Sequence, residues 1–343
     1  MVSAVCLGGH WKRVNTVVPE LFQGRSWLSA NLESPEFEKN RYDVVTQCIE
    51  RGINYIDACT KQEVIMYAKA LKGRRDKMHL GFSWYQEEMR GLSGQWQAAK
   101  KEGKPKPPGW ITAKLKEAID HGFKETGLEY VDVWRITCHE QSGNHEDAEM
   151  EEMCEALAWA KKTGRARFTG ISSHHRPHIK KWIQARPDVF DVIVTPYTAK
   201  TKMTGVKIEA AEEGNAATVT RMDDGSWENS LWYAIEQCDV AWFGIKPFAS
   251  GSVFKGDSSP GNEHEEEDSK IARLTIRSIL TNPVITAPIP GMITPEQVDN
   301  VAVAVLQRRA LDVKEQAQLD AATDRAFANL PYHYRWLNDW NHV

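Results

Sequence analysis

Short runs of β-branched and aromatic residues alternate along the chain with stretches whose apolar positions recur every three to four residues. The first pattern is that of a buried strand and the second that of an amphipathic helix. Together they predict strands at residues 2–7, 53–57, 78–82, 131–136, 166–171, 192–195, 240–245 and 284–287. Helices are predicted between and after them, at 36–50, 63–71, 111–126, 149–162, 177–184, 230–237, 269–280 and 295–307. Ser34-Pro35 supplies an N-cap followed by proline at the first helical position, and Thr294-Pro295-Glu296-Gln297 reads as a capping box. Gly52 and Gly164 stand where a helix is closed by a left-handed residue. Strand and helix in strict alternation imply a parallel sheet with right-handed crossovers. Eight repeats make a closed (β/α)8 TIM barrel the simplest architecture, with an open doubly wound sheet as the alternative.

Four long segments interrupt the rhythm, at 9–34, 84–109, 199–227 and 250–268. Each follows a strand, so in a barrel all four would rise from the C-terminal face, where such folds build their sites. The last carries Glu263 and Glu265 to Asp268, read as a solvated acidic loop. Residues 1–343 read as one barrel domain with a helical extension from about 308 to 343.

Composition narrows the function classes. Hydrophobic residues at 41% and charged residues at 26% are the balance of a globular protein that folds without staples. A formal net charge of −4 argues against a nucleic-acid partner. No run of 18 apolar residues is present, so no membrane-spanning helix is expected. The six cysteines show no C-x-x-C pair and read as reduced, buried thiols rather than a zinc or iron–sulfur set. The thirteen tryptophans read as packing residues. The opening Met-Val-Ser-Ala-Val-Cys lacks a basic n-region and reads as a strand that begins at once, which suggests that a segment precedes it. The cytoplasm is the default location, and oligomeric state is left open.

Six strings carry a resemblance. They are Arg51-Gly-Ile-Asn-Tyr-Ile-Asp57, Ala70-Leu-Lys-Gly-Arg-Arg-Asp-Lys77, Tyr130-Val-Asp-Val133, Gly164-Arg-Ala-Arg-Phe-Thr-Gly-Ile-Ser-Ser-His174, Lys246-Pro-Phe-Ala-Ser-Gly251 and Ile289-Pro-Gly291. In this order and spacing, over roughly residues 2–305, the chain resembles the aldo-keto reductases. It is most similar to a branch that often ends in an iron–sulfur tail, although Pro331-Tyr-His-Tyr-Arg-Trp336 contains no cysteine. The resemblance implies an NAD(P)(H)-dependent oxidoreductase that moves a hydride to or from the carbonyl carbon of a carbonyl or sugar-like small molecule. It also implies an aspartate, a tyrosine acid, a lysine and a histidine, of which only the aspartate is kept, as Asp57. The tyrosine position falls on Gln62, the lysine on Ser83 and the histidine on Thr137.

On the cofactor side the resemblance implies that Ser172 and Ser173 hold the nicotinamide amide, with Val194 in place of the usual glutamine. Lys246, Pro247 and Gly251 belong to the loop around the pyrophosphate, while Gly291 and Asn300 lie at the adenosine end. Ile293 replaces the arginine that binds a 2′-phosphate, so NAD(H) is expected over NADP(H). Several strand ends offer other chemistry: His10, Asp57, Lys61, His139, Glu140, His174 and His175. Asp57 and His139 are the expected catalytic pair, since a small loop shift brings His139 to the family histidine's place. Lys61 is expected to pair with Asp57, and both Asp57 and His139 are expected at the polar rim, where substitution costs little stability. A mouth lined by Asp57, His139, His174 and the loops at 84–109 and 199–227 follows. His145, His178 and His264 read as surface residues. Two alternatives stand beside this reading: non-redox, possibly metal-assisted chemistry in the same barrel, and a non-catalytic dinucleotide-binding protein.

Overall fold

A computed structural model describes residues 1–22, 26–138, 145–201, 204–209, 218–307 and 310–339. The strands are β1 (Leu7–Gly8), β2 (Tyr55–Ala58), β3 (His79–Phe82), β4 (Val131–Thr137), β5 (Ala166–Ser172) and β6 (Val192–Pro196). A hairpin follows, β7 (Val206–Glu209) with β8 (Thr218–Arg221), and then β9 (Ala241–Ile245) and β10 (Ala287–Ile289). The helices are α1 (Pro35–Glu50), α2 (Lys61–Ala70), α3 (Met89–Lys101), α4 (Trp110–Thr126) and α5 (Asp147–Lys162). After these come α6 (Arg176–Ala185), α7 (Leu231–Cys238), α8 (Glu265–Ile279), α9 (Pro295–Leu306) and α10 (Val313–Ala328).

Eight strands form one parallel sheet in the order β1-β2-β3-β4-β5-β6-β9-β10. A parallel bridge from Gly8 to Gly291, with Gly8 N–H donating to Pro290 O at 2.8 Å, brings the last strand to the first. The fold is therefore the expected (β/α)8 barrel. The first strand is shorter than predicted because Ser3 turns aside, donating through its hydroxyl to Val5 O and through its N–H to Asn54.

Two differences from the sequence reading have clear causes. The segment at 84–109 contains α3, whose glycines Gly91 and Gly94 and Gln/Lys-rich faces hide a helix that buries only Met89 and Leu92. The acidic run is not a loop. Glu265, Glu266, Glu267 and Asp268 form the first turn of α8, where four carboxylates meet the positive end of the helix dipole. Asp268 also accepts from the N–H groups of Lys255 and Gly256, both at 2.8 Å, and so anchors the preceding loop.

Inside the barrel, Tyr55 stacks on Phe243 at 4.7 Å among Cys6, Val133, Val192, Val194, Ala287 and Ile289. Gly81 is required opposite them, because a Cβ there would lie 2.2 Å from the Tyr55 hydroxyl. Outside, α5 and α6 bury His145 and His178, correcting their reading as surface residues. The two imidazoles are 6.1 Å apart, and His178 Nε2 has no partner among the described residues. Burial, with His145, His175 and Lys181 nearby, pushes the His178 pKa down to about 4.

Because the folded state resists protonating His178, the unfolded chain binds the proton first as pH falls below the usual histidine range. Stability conferred by neutral His178 is therefore lost between pH 6.5 and about 4. Urea unfolding at pH 7 and pH 5 is expected to show a fall of order 1–2 kcal/mol that His178→Leu removes. An equal fall in the variant would assign the acid sensitivity elsewhere.

Candidate active site at the barrel mouth

Asp57 is the third residue of β2, in register with Gly8 on one side and Gly81 on the other. Two glycine neighbours leave room for an inward side chain, and that room is taken by a guanidinium. Arg135, from β4, donates Nε to Asp57 Oδ1 at 2.9 Å and its second terminal nitrogen to Oδ2 at 2.6 Å. Its other terminal nitrogen donates to Thr137 Oγ1 at 2.7 Å and lies 3.6 Å from Cys59 Sγ. Both partners are buried, Asp57 to 4% exposure and Arg135 to 1%. Burial works against the charge on Arg135, but the facing Asp57 outweighs it and the guanidinium is held ionised. Asp57 is thus an interior residue rather than a rim residue, and its partner is not Lys61. The Lys61 ammonium points outward, 3.7 Å from Glu125 and over the Trp84 ring.

Ser83 and Thr137, the substitutes for the family lysine and histidine, meet beside this pair with hydroxyls 3.1 Å apart. Beneath them is a carboxylate that the sequence reading missed. Glu88, fully buried, accepts from Ser83 Oγ at 2.5 Å, Trp84 N at 2.8 Å, Trp134 Nε1 at 3.1 Å and Thr137 N at 3.2 Å. Burial raises its pKa above the ordinary carboxylate range despite these four donors. Gln62, at the tyrosine position, accepts from the side chain of Gln86. His139 lies outside the described residues, as does Glu140.

A further buried carboxylate serves the rim after β1 and β2. Glu63 caps α2 together with Thr60, and its oxygens accept from the backbone N–H of Cys59 and of His10, both at 2.6 Å. His10 Nδ1 sits 2.8 Å from the same carboxylate. Gly9 makes this possible, since a Cβ there would lie 2.2 Å from Glu63 Oε2. Burial pushes the Glu63 pKa up, but His10 and the two N–H donors outweigh it and leave it below the usual carboxylate range.

The predicted cofactor residues spread along the β5, β9 and β10 ends. Ser172 and Ser173 are buried, and Ser173 Oγ accepts from His175 N at 3.0 Å. His174 stacks at 4.1 Å on Trp336, which belongs to a 3₁₀ segment, Tyr332–Asp339, laid across this side of the mouth. Lys246 faces Tyr334 and Trp336 at 5.5 and 5.9 Å, and Lys12 lies 4.4 Å over the Tyr334 ring. Burial, with Lys246 next to it, lowers the Lys12 pKa to about 8. After buried Pro247 the loop reaches Gly251, whose carbonyl accepts from Arg13. Arg41, fully buried on α1, holds the carbonyls of Met292 and Ile293 and so fixes the turn after Gly291. Asn300 is a packing link, accepting from Arg273 and donating to Ser269 O. Among the described residues no three His, Cys, Asp or Glu side chains gather as a metal site.

The model of the aldo/keto reductase family matches residues 27–206, more than half of the chain. The chain belongs to the aldo/keto reductase family. Solved structures of three such enzymes share the fold. AKR11C1 from Bacillus halodurans, in its holo form, is 19% identical over 87% of this chain and 90% of its own, with a TM-score of 0.53. The aldo-keto reductase from Klebsiella pneumoniae in complex with NADPH is 16% identical, covering 93% and 90%, with a TM-score of 0.58. That from Brucella melitensis is 15% identical, covering 84% and 90%, at 0.53. No curated protein matches the sequence. At these identities the structural likeness speaks for the fold, and the chemistry rests on the residues of the aldo/keto reductase described above.

Proposed function

We propose that this protein is an NAD(P)(H)-dependent oxidoreductase acting on a small carbonyl or sugar-like substrate, with a non-standard catalytic set. The observation that carries the reading is the buried Asp57–Arg135 pair at the mouth of a family barrel. The reduced dinucleotide, when bound, supplies the hydride. Arg135 cannot serve as an acid, since a guanidinium stays protonated in proteins. Its fixed charge, held by Asp57 and facing Thr137 and Cys59, instead favours negative charge developing on a substrate oxygen. His139 is the proton-transfer group read from the sequence. Six free cysteines suit a reducing compartment, and the cytoplasm remains the proposed location. No helix among the described residues is long and apolar enough to cross a membrane.

The loop after β9 fits a dinucleotide. Lys246, Ala249, Ser250 and Gly251 all take positive φ, at 58°, 46°, 59° and 88°, and a Cβ on Gly251 would meet the Arg13 guanidinium at 3.1 Å. Lys12, Arg13 and Lys246 place three cations around this loop, which suits a diphosphate. Ser172 and Ser173 would hold the amide, and Gly291 and Asn300 the adenosine end. A dinucleotide that engages Lys246 must replace its contacts with Tyr334 and Trp336.

NADH is expected to bind more tightly than NADPH by about 10- to 100-fold, the worth of one charged hydrogen-bond set. The apolar Ile293 is buried at the position of the missing arginine, and Arg273 is committed to Asn300. Titration with both cofactors checks this, and tighter NADPH binding would show that another cation reads the 2′-phosphate. Turnover of any carbonyl separates this reading from a dinucleotide-binding protein without activity.

A further inference from the structure

Among the described residues of the mouth no proton donor has yet been placed, because Arg135 cannot donate, Gln62 has no proton of suitable acidity, and His139 lies outside them. His10 supplies one. It stands on the rim after β1, with its side chain 42% exposed and its ring tilted against that of Trp27 at 4.8 Å. Its Nδ1 is fixed by Glu63, a carboxylate with no exposure at all, so the Nδ1–H tautomer is favoured and Nε2 is left as the ring's other nitrogen on a part-exposed side chain. Nε2 has no hydrogen-bond partner among the described residues. The same carboxylate accepts from Cys59 N, and Cys59 Sγ touches Arg135 and Thr137, so the imidazole and the guanidinium are linked through Glu63 and Cys59.

Two costs indicate that the arrangement is specified. His10 holds φ at 54°, in the left-handed region that a non-glycine residue seldom adopts. Gly9 surrenders its Cβ space to the Glu63 carboxylate. A surface histidine with no function needs neither. The titratable groups around His10 are Glu63 on α2, His174 after β5, and Lys12 on its own loop, with Lys246 behind Lys12. Burial, Lys246 and His10 itself push the His174 pKa well below the histidine range, so His174 stays neutral.

We propose that His10, oriented by Glu63, is the proton donor and acceptor of this site. The inference rests on the oxidoreductase reading above. In reduction, the substrate carbonyl carbon gains the hydride and its oxygen takes the Nε2 proton of His10 in its imidazolium form, which leaves the neutral Nδ1–H imidazole. The products are the alcohol and the oxidised dinucleotide, and the neutral imidazole regains a proton from solvent. In oxidation, His10 removes the hydroxyl proton.

The test combines spectroscopy of the free protein with kinetics. In ¹⁵N-histidine spectra, His10 is expected as the Nδ1–H tautomer and to lose that preference in Glu63→Gln. With NADH and a panel of aldehydes and sugars, His10→Asn, which tolerates the left-handed backbone, is expected to lower kcat about 10²–10⁴-fold. Its NADH dissociation constant should stay within about twofold of wild type, since the acid acts on substrate rather than on cofactor binding. Added imidazole should restore part of the activity of His10→Gly, which a purely structural role would not allow. Wild-type turnover that survives in His10→Asn but is lost in His139→Ala would overturn the dyad alone. Wild type that binds neither NADH nor NADPH would overturn the oxidoreductase reading and the dyad with it.

Discussion

Asp57→Ala is expected to destabilise the fold by about 3–5 kcal/mol, the cost of stranding one member of a buried ion pair. The substitution leaves the Arg135 guanidinium inside the barrel with two of its donors facing a void where the carboxylate stood. Thr137 and Cys59 meet only the remaining terminal nitrogen, and neither carries a countercharge. The Tyr55 hydroxyl, buried and without a hydrogen-bond partner among the described residues, is close by but is one neutral group. Replacing both charges, as Asp57→Leu with Arg135→Met, should recover most of the loss, because an apolar pair of similar volume avoids the desolvation cost. Urea or guanidinium unfolding followed by tryptophan fluorescence measures both variants. A loss below 1 kcal/mol in Asp57→Ala would return Asp57 to the solvated rim, where the sequence alone had put it. Activity should vanish in the double variant even where stability returns, which separates the pair's chemical role from its structural one.

Turnover of simple aldehydes with NADH is expected to run about 10²–10⁴-fold below that of a family member that keeps its tyrosine, lysine and histidine. The structure strengthens this expectation, because none of the substitutes is poised to deliver a proton. Gln62 is joined to Gln86, Ser83 donates to Glu88, and Thr137 accepts from Arg135. Groups that act together are not additive, so losing the tyrosine already forfeits most of the effect. His10 enters from the first strand rather than from the loops after the second and fourth. A carbonyl held in the family's usual way is therefore not presented to it. Steady-state rates with a series of aldehydes, compared with polyhydroxylated substrates, check the point. Brisk turnover of a plain aldehyde that persists in His10→Asn would mean that an acid outside both sets has taken over.

The barrel was legible because its evidence is redundant. Eight apolar runs, helix caps at Ser34 and Thr294 and glycine stops at Gly52 and Gly164 all point the same way, and each helix cap recurs in the structure. What the periodicity could not show was which inward charges meet. Asp57 and Arg135 lie 78 residues apart, and nothing local links them until β2, β3 and β4 are laid in register. A signal was nonetheless present, since a charged residue inside Val131-Asp-Val-Trp-Arg-Ile136 needs a buried partner. Glu63 could also have been found, because Thr60-Lys-Gln-Glu63 is a capping-box pattern. Its second task, holding His10, depends on Gly9 being adjacent in space and had no sequence signature. Glu88 was hidden for a different reason. Its four donors converge only because the chain turns back after β3 to start α3.

The central claim, that this barrel mouth is a nicotinamide dinucleotide site worked by Asp57, Arg135 and the rim groups, is tested most directly by calorimetric titration of the purified protein with NADH and NADPH. One site per chain is expected, with NADH tighter than NADPH by about 10- to 100-fold, and with binding lost when Lys246 is replaced by glutamate in the loop that carries Gly251. Absence of heat with either cofactor up to millimolar concentration, from a protein whose unfolding curve shows it intact, would contradict it.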